Sequence, residues 1–411
     1  MSHAPPATPD RVVIINDASV ARGGATGLAL LAAREIRALG LRVTYVAGDS
    51  GAAPDLADLG IEVIATGGAR LLDQPRLKSA TAGLWNAAAR AAIADLVAQD
   101  TPGTVYHVHG WAQILSPAIF AALAPVAPRV VVHAHDRFLA CPNGVYHDFG
   151  RDRPCARAPL GAACLATDCD KHSYARKLWR VARQLMLRRA FDQRRPWGAI
   201  VLIHPRMAGL MEDVGYPPQR LCVLRNPASP YTESRVRAEE NRALAFIGRI
   251  EREKGLAELA EAARRARLPL MVIGEGRERA PLATAYPEIR FEGWQDRAGI
   301  ARLIKGARAV IVPGRIPEPF GLVIAEASFS GLPLLVSDSA FLAAEIDQAG
   351  LGRSFDMRAP NGLDAALTRF RDLSDAEVRT ISERAFARPV PLAQTTEAWV
   401  KGLLALYRRV L

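Results

Sequence analysis

The sequence predicts an α/β protein made of two doubly wound halves, each a parallel sheet with helices on both faces. Its 411 residues, half of them apolar, are too many for one ordinary core and indicate about two domains. Short apolar runs alternate with amphipathic stretches, which is typical of parallel strands joined by helices. This alternation starts again after a segment rich in cysteine and basic residues, and the chain therefore divides into two similar halves.

The first half begins with the apolar run "RVVIIND", followed by the glycine turn "RGGATG" and a helix that closes at Gly40. An Ala-rich helix is predicted over about residues 79–98. Strands are predicted at "LRVTYVAG", "GIEVIAT", "TVYHVHG", "RVVVHAHD", "GAIVLIH" and "RLCVLRNP". These elements alternate as a parallel sheet requires.

The second half repeats the pattern. Its predicted strands are "ALAFIGRI", "LPLMVIGEG", "IRFEGW", "ARAVIVPG" and "LPLLVSD". The turn-rich, charged interval 226–242 predicts the linker. We therefore expect domains at 1–226 and 227–392, with a Cys-rich and basic insertion at about 141–195 in the first. A last helix within 393–411 is expected to return to the first domain.

The overall charge favours an anionic partner. Lys and Arg number 53 against 42 Asp and Glu, a net charge of +11. The sequence contains no long uncharged apolar run of the kind that predicts a membrane span or a signal peptide. The expected location is therefore the cytoplasm. Residues 171–195 are strongly basic and predict an amphipathic helix or helix pair. Its basic face is either solvated and packed on its own domain, seated on anionic lipid at the inner face of the membrane, or bound to nucleic acid.

Four of the five cysteines fall in one segment. Their spacing, C-x13-C-x8-C-x4-C, matches no standard zinc signature, although a structural metal or a disulfide remains an alternative to free thiols. The four are Cys141, Cys155, Cys164 and Cys169.

Candidate functional residues follow predicted strands, where open α/β sheets bind their ligands. The turn that contains Gly24 lacks the G-x-G-x-x-G fingerprint, but a glycine turn before a helix can offer N–H groups to phosphate or sugar. His135 follows "RVVVHA" and Gly274 follows "LPLMVI". These residues are expected at the same edge of their sheets.

Two stretches of the second half carry charged groups. In "GRIEREKG", Arg249 and Lys254 are two cations able to converge on one diphosphate. In "EPFGLVIAEA", a helix is expected to begin near Gly321, which gives free backbone donors over 320–322. Glu326 on that helix can accept the hydroxyls of a ribose, and Glu318 in the loop can accept those of a second sugar.

These motifs resemble those of retaining nucleotide-sugar glycosyltransferases of family 4, also called group 1. The resemblance is carried by "GRIEREKG", "VIGEG", "RIPEPFGLVIAEA" and "SDSAFLAAEI" in the second half, and more loosely by "RGGA", "TVYHVHG" and "HAHDRFLACPNG" in the first. It implies the GT-B fold, in which two Rossmann-like domains face a central cleft and a C-terminal helix crosses back.

The resemblance also implies roles for individual residues. Arg249 and Lys254 would hold the donor diphosphate, and His135 would stand near the donor sugar. Glu318 would bind the transferred sugar and Glu326 the ribose. The remaining implied donor contacts are Gly24, Gly274, Phe320, Gly321 and Leu322. The chain departs from the family at His204 and in "SAFLAAE", so the resemblance does not assign donor contacts to residues 337–345.

The implied activity is retaining hexosyl transfer without a metal cofactor. A UDP- or GDP-sugar would donate a hexose to a glycan or lipid-linked acceptor in the synthesis of cell-surface polysaccharide or glycolipid. In this family retention is assigned to attack on the face from which the phosphate departs, so no glutamate nucleophile is required. A sugar-nucleotide epimerase or a glycosyl phosphorylase of the same fold is the alternative. A basic nucleic-acid-binding protein would leave the motifs of the second half unexplained.

Overall fold

The computed structural model describes residues 8–21 and 23–411, so residues 1–7 and the arginine of "RGGATG" lie outside the described residues. The chain forms two compact units. Unit 1 comprises the chain up to Arg225 together with Glu397–Leu411, and unit 2 comprises Asn226–Thr396.

Unit 1 is built on a parallel sheet of seven strands, in the order β3-β2-β1-β4-β5-β8-β9. Four of these strands, β1, β4, β5 and β8, are almost wholly buried, as expected of a sheet covered on both faces. Strands β6 and β7 form a separate antiparallel pair within the Cys-rich segment. The strands are β1 (Arg11–Asn16), β2 (Arg42–Ala47), β3 (Glu62–Ala65), β4 (Thr104–Val108), β5 (Val130–Ala134), β6 (His147–Asp148), β7 (Arg153–Pro154), β8 (Ala199–Leu202) and β9 (Leu221–Val223).

The helices of unit 1 are α1 (Gly24–Ala38), α2 (Pro54–Asp58), α3 (Arg76–Leu84), α4 (Ala87–Ala98), α5 (Ala118–Leu123), α6 (Ala162–Leu165), α7 (Tyr174–Ala190) and α8 (Ala208–Glu212). The predicted Ala-rich helix is therefore two helices. Asn86 separates them, because its side chain caps α4 by accepting from the Ala89 N–H at 3.0 Å. The basic segment forms one helix, α7, and not a pair.

Unit 2 is a second parallel sheet, of six strands in the order β12-β11-β10-β13-β14-β15. Its strands are β10 (Ala243–Ile247), β11 (Leu270–Ile273), β12 (Arg290–Gly293), β13 (Ala307–Val312), β14 (Leu334–Ser337) and β15 (Gly352–Phe355). Its helices are α9 (Leu256–Ala266), α10 (Arg279–Ala285), α11 (Arg297–Leu303), α12 (Leu322–Phe329), α13 (Ala343–Ala349), α14 (Gly362–Arg371) and α15 (Asp375–Ala387). The edge strand β15 is an addition to the strands predicted from the sequence.

The last helix, α16 (Thr396–Val410), packs onto the core of unit 1. Trp399, Leu403 and Tyr407 are each 0% exposed and lie in one cluster with residues of α1 and of the sheet. The Tyr407 hydroxyl is 2.7 Å from Nδ1 of His107 in β4. The helix therefore fills a face of unit 1 that would otherwise expose apolar side chains.

Replacing Trp399 by alanine should destabilise unit 1 by about 3–5 kcal/mol, because the substitution removes a fully buried indole. Urea unfolding followed by circular dichroism measures the change. Lys401→Ala on the same helix is the matched control, since the Lys401 side chain is 73% exposed. Equal stability of the two variants would contradict the packing of α16.

Candidate functional site

Polar groups gather at the carboxyl ends of β1, β4 and β5 in unit 1. Asp17, directly after β1, accepts three backbone N–H bonds, from Gln113 at 2.9 Å, Ile114 at 2.8 Å and Leu115 at 2.9 Å. Burial raises the pKa of Asp17, although these bonds and Arg183 act to lower it. The carboxylate therefore fixes the turn that follows β4.

The start of α1 is joined to the same edge of the sheet. Asn16, at the end of β1, donates to Thr26 Oγ1 at 3.2 Å and to the Tyr45 hydroxyl at 3.1 Å. Gly24 is the first residue of α1. A Cβ on Gly110 would lie 2.4 Å from Asn16 Oδ1, so only glycine fits there. This packing leaves the first turn of α1 next to the ends of β1 and β4.

Four histidines form a ladder across β4 and β5 and the residues after them. His107 and His109 alternate with His133 and His135, and the stacked rings of His133 and His135 have centroids 4.2 Å apart. Hydrogen bonds link His109 Nδ1 to His135 Nε2 at 3.0 Å and His133 Nδ1 to His107 Nε2 at 3.3 Å. The predicted donor-site residue His135 is thus the outer, partly exposed end of a buried ladder.

Three of these histidines have the spacing that a metal requires. Within the described ranges, His107, His109 and His133 are the group whose ligand atoms all lie within 4.8 Å of one another. Nε2 of His109 and Nε2 of His133 are buried, and no described residue hydrogen-bonds to either atom. Neutral imidazole nitrogens of this kind could hold a metal ion.

The four clustered cysteines are free thiols, and their surroundings differ. Cys164 and Cys169 both lie against the Lys177 ammonium, with Sγ to Nζ distances of 3.4 and 3.0 Å. Cys141 Sγ is 3.1 Å from Asn143 Oδ1. Cys155 Sγ is 3.5 Å from the Arg157 guanidinium. The expectation of a structural metal at these thiols stays a prediction.

In unit 2, the loops after β10, β11 and β13 pack together. Ile250 donates its N–H to Glu275 O at 2.9 Å, and the Arg315 N–H donates to Glu253 O at 2.9 Å. Gly274, directly after β11, has φ +149°, and a Cβ there would lie 1.9 Å from Gly248 O. The loops after these three strands therefore form one surface, and the predicted residues in these loops lie on it.

Two of the predicted residues meet directly on this surface. Lys254 Nζ lies 2.6 Å from Glu318 Oε2, and both side chains are partly exposed. Arg249 follows β10 with an exposed side chain, and no described residue pairs with its guanidinium. The surface thus presents one paired and one unpaired cation beside a carboxylate.

The helix start predicted in "EPFGLVIAEA" lies at Leu322, the first residue of α12. Gly321 has φ +72°, a left-handed conformation that glycine adopts without strain. Phe320 is buried, at 2% exposed, and therefore only its backbone is available to a ligand. The glycine turn and the start of α12 therefore lie where the sequence predicts them.

Glu326 lies on α12 with both carboxylate oxygens hydrogen-bonded. The Tyr231 hydroxyl donates to Oε2 at 2.8 Å, and Arg297 donates to Oε1 at 2.8 Å. The Arg297 guanidinium also lies over the Tyr231 ring, 5.1 Å from its centroid. Neither Tyr231 nor Arg297 was predicted from the sequence, because neither belongs to a motif and both lie far from Glu326 along the chain.

The comparisons with known proteins agree with this architecture. Residues 231–385 match the family model described as glycosyl transferases group 1. A glycogen synthase of Mycobacterium tuberculosis is 27% identical over 260 residues, which are 59% of this chain and 60% of that protein. A GDP-mannose-dependent alpha-mannosyltransferase of Mycolicibacterium smegmatis is 32% identical over 96 residues, 23% of this chain and 25% of that protein. The chain thus spans about 60% of the length of the glycogen synthase it matches.

Solved structures resemble the whole chain. Sucrose-phosphate synthase from Thermosynechococcus elongatus superposes with a TM-score of 0.69 at 16% identity, over 97% of this chain and 98% of that one. Anabaena HepE in complex with UDP gives a TM-score of 0.65 at 16% identity, over 96% and 98% of the two chains. The predicted GT-B fold is confirmed.

The histidine ladder predicts that the protein loses stability in acid. Burial lowers the pKa of His107, His109 and His133 well below 6.5 and lowers that of His135 to about 3. The folded state therefore keeps these rings neutral at a pH where the unfolded chain, with pKa values near 6.5, binds protons. The contribution of the neutral rings to the free energy of unfolding is fully present above pH 6.5. It is lost as the pH falls from 6.5 toward the pKa values of the folded state.

We expect the free energy of unfolding of unit 1 to decrease from pH 7 to pH 5, by up to about 1.4 kcal/mol per pH unit for each histidine. His133→Gln should flatten this slope, whereas the exposed His172→Gln should change it little. Urea titrations at several pH values measure the slope. A His133→Gln slope equal to that of the wild type would contradict the assignment.

Proposed function

We propose that this chain, whose residues 231–385 form a group 1 glycosyltransferase domain within a GT-B fold, is a retaining hexosyltransferase that uses a UDP- or GDP-sugar. The observation that carries the proposal is the ion pair of Lys254 with Glu318, in the loops after β10 and β13, with the exposed Arg249 in the first of these loops. The complexes of HepE with UDP and UDP-glucose support a nucleotide-sugar donor by analogy.

Arg249 and Lys254 bind the donor diphosphate. The unpaired guanidinium of Arg249 forms two parallel hydrogen bonds to phosphate oxygens, and Lys254 supplies a point charge. Negative charge grows on the departing diphosphate as the glycosidic bond breaks. The two cations and the N–H groups at the start of α12 stabilise this charge, which is the largest contribution that such a site can make.

The two glutamates orient the donor. When the diphosphate binds, it attracts the Lys254 ammonium and weakens the ion pair with Glu318. The Glu318 carboxylate then accepts hydrogen bonds from hydroxyls of the transferred sugar. Glu326 accepts the ribose hydroxyls, since each carboxylate oxygen keeps a lone pair after bonding to Tyr231 or Arg297. Tyr231 and Arg297 hold Glu326 in one orientation and are positioning residues.

In unit 1, the role of His135 near the donor sugar rests on the family resemblance alone. Its ring is neutral at pH 7, because burial lowers its pKa to about 3, and its Nε2 is hydrogen-bonded to His109. A neutral imidazole does not repel the positive charge that develops on the sugar ring. The departing phosphate takes the proton of the acceptor hydroxyl, which attacks from the same face.

The acceptor is a glycan or a lipid-linked sugar, and the protein meets it at an anionic membrane surface. Helix α7 exposes Leu178 and Leu185, 45% and 54% exposed, beside the exposed Arg188 and Arg189. The neighbouring α3 exposes Leu77, 80% exposed. Apolar side chains between basic ones favour an anionic lipid interface. No described helix is long and apolar enough to cross a membrane.

Removing a diphosphate-binding cation should weaken donor binding. Arg249→Ala and Lys254→Ala are each expected to raise the Kd for the preferred nucleotide diphosphate about 10–100-fold, the value of a charged hydrogen bond. Calorimetric titration with UDP, GDP, ADP and TDP identifies the nucleotide and measures the loss. Lys305→Ala is the control, because this exposed lysine precedes β13 at the opposite end of the sheet. Failure of all four nucleotides to bind the wild type would refute the proposal.

The reaction class is tested with labelled UDP-glucose and GDP-mannose and a bacterial glycolipid extract. Free nucleotide diphosphate together with a labelled glycolipid of unchanged anomeric configuration is the expected result. Release of an epimerised free sugar or of a sugar phosphate would instead identify an epimerase or a phosphorylase.

Membrane association should depend on both parts of the α7 surface. The double variants Arg188→Glu/Arg189→Glu and Leu178→Asp/Leu185→Asp are expected to lower partitioning onto phosphatidylglycerol vesicles more than tenfold, since each base contributes about 1 kcal/mol. Co-sedimentation measures the bound fraction. Arg353→Glu/Arg369→Glu, an equal charge change at exposed positions in unit 2, is the control. Absence of wild-type sedimentation would exclude lipid docking.

A further inference from the structure

A lysine is buried between two cysteine sulfurs in the Cys-rich segment of unit 1. Lys177, on the first turn of α7, is 1% exposed, and Cys164 and Cys169 are 7% and 5% exposed. Lys177 Nζ lies 3.0 Å from Cys169 Sγ, 3.4 Å from Cys164 Sγ and 3.0 Å from Cys164 O. The amine therefore touches both sulfurs at once, apart from the residues used by the proposed glycosyl transfer.

A buried ammonium requires an anion beside it. No carboxylate among the described residues is paired with Lys177, whose polar neighbours are the two sulfurs and one carbonyl. Burial acts to lower the pKa of Lys177, but the interactions with Cys169 and Cys164 outweigh it and the pKa is raised. The two sulfurs are therefore the groups that stabilise the buried amine, and sulfur is the atom at which cysteine is oxidised.

The surroundings favour reaction between these groups over metal binding. Among the described residues, the group with the mutual spacing of metal ligands is the histidine ladder, and not this cysteine cluster. The Lys177 ammonium itself lies between the two sulfurs. Both cysteines are almost fully buried, which favours a small oxidant such as dioxygen over bulky thiol reagents.

We propose that Lys177 and Cys169 form an oxidation site at which dioxygen inserts one oxygen atom to give a covalent Nζ–O–Sγ crosslink. Counted from the amine and the thiol, the two groups supply four electrons, two from nitrogen and two from sulfur. One oxygen atom bonds to Nζ and to Sγ, and the other takes one proton from each group and leaves as water. Two molecules of dithiothreitol return four electrons and restore the amine, the thiol and one more water.

The crosslink fixes the position of α7. Cys169 lies in the segment before α7, and Lys177 is in the helix itself, so the new bond ties the two together. Helix α7 also carries Arg183, which donates to Ala112 O at 2.9 Å, and Gln184, which donates to Leu139 O at 2.9 Å. Both acceptors lie in loops that follow β4 and β5. Oxidation therefore acts on a helix that braces the strand-end loops of unit 1.

The test exposes the purified full chain to air-saturated buffer, with an anaerobic sample alongside. Intact and peptide mass spectrometry should show a species that has gained one oxygen atom and lost two hydrogen atoms, joining the peptides of Lys177 and Cys169. The species should be absent without dioxygen and should disappear after dithiothreitol.

Variants separate the proposal from other thiol chemistry. Lys177→Arg keeps the positive charge and Cys169→Ser keeps the size, and each should abolish the crosslink. Cys164→Ser and the distant Cys222→Ser should retain it. If a variant fails to fold, the peptide map of the wild type still decides. A Cys164–Cys169 disulfide, a sulfenic acid without the lysine, or a zinc ion bound by the unreacted thiols would each overturn the proposal.

Discussion

The candidate site of unit 2 depends on contacts in which backbone packs directly on backbone. A Cβ on Gly274 would lie 1.9 Å from Gly248 O, and one on Gly255 would lie 2.0 Å from Pro313 O. Side chains at these positions would force apart the loops that follow β10, β11 and β13. Because glycine permits the approach, Lys254 on one loop reaches a carboxylate on another. The positions of the cations therefore depend on glycines that do not themselves contact the ligand. A side chain at either glycine would move the loops and displace the cations.

In unit 1, the residues at the strand ends are held by a buried carboxylate and by the C-terminal helix, where unit 2 uses glycine contacts. Asp17 accepts three backbone N–H groups from the turn after β4, which satisfies donors that would otherwise be buried unpaired. Tyr407, from the last helix, bonds to the first ring of the histidine ladder. The partly exposed His135 is thus held by a chain of contacts that extends to the C-terminal helix.

The sequence predicts the strands and the glycine turns because both are local. The apolar runs give the strands, and the glycine before "LVIAEA" gives the start of α12. The partners of Glu326 could not be predicted, because Tyr231 lies 95 residues from it along the chain and no periodicity links the two. The histidine ladder was equally hidden, since it arises from the register that pairs Val108 with Val132 in neighbouring strands. The break at Asn86 was missed because Ala-rich composition favours helix on both sides of it.

The basic residues of α7 divide into exposed and buried ones. Its exposed bases, such as Arg188 and Arg189, can meet an anionic surface, whereas Lys177 and Arg183 point inward and are 1% and 5% exposed. Arg183, which interacts with Asp17, and Lys177, which contacts two cysteine sulfurs, are buried charges that an anionic surface cannot reach. Counting every base of residues 171–195 as surface charge therefore overstates the attraction to lipid. Because fewer bases are exposed than the sequence suggests, a larger share of any membrane affinity comes from apolar contact by the exposed leucines.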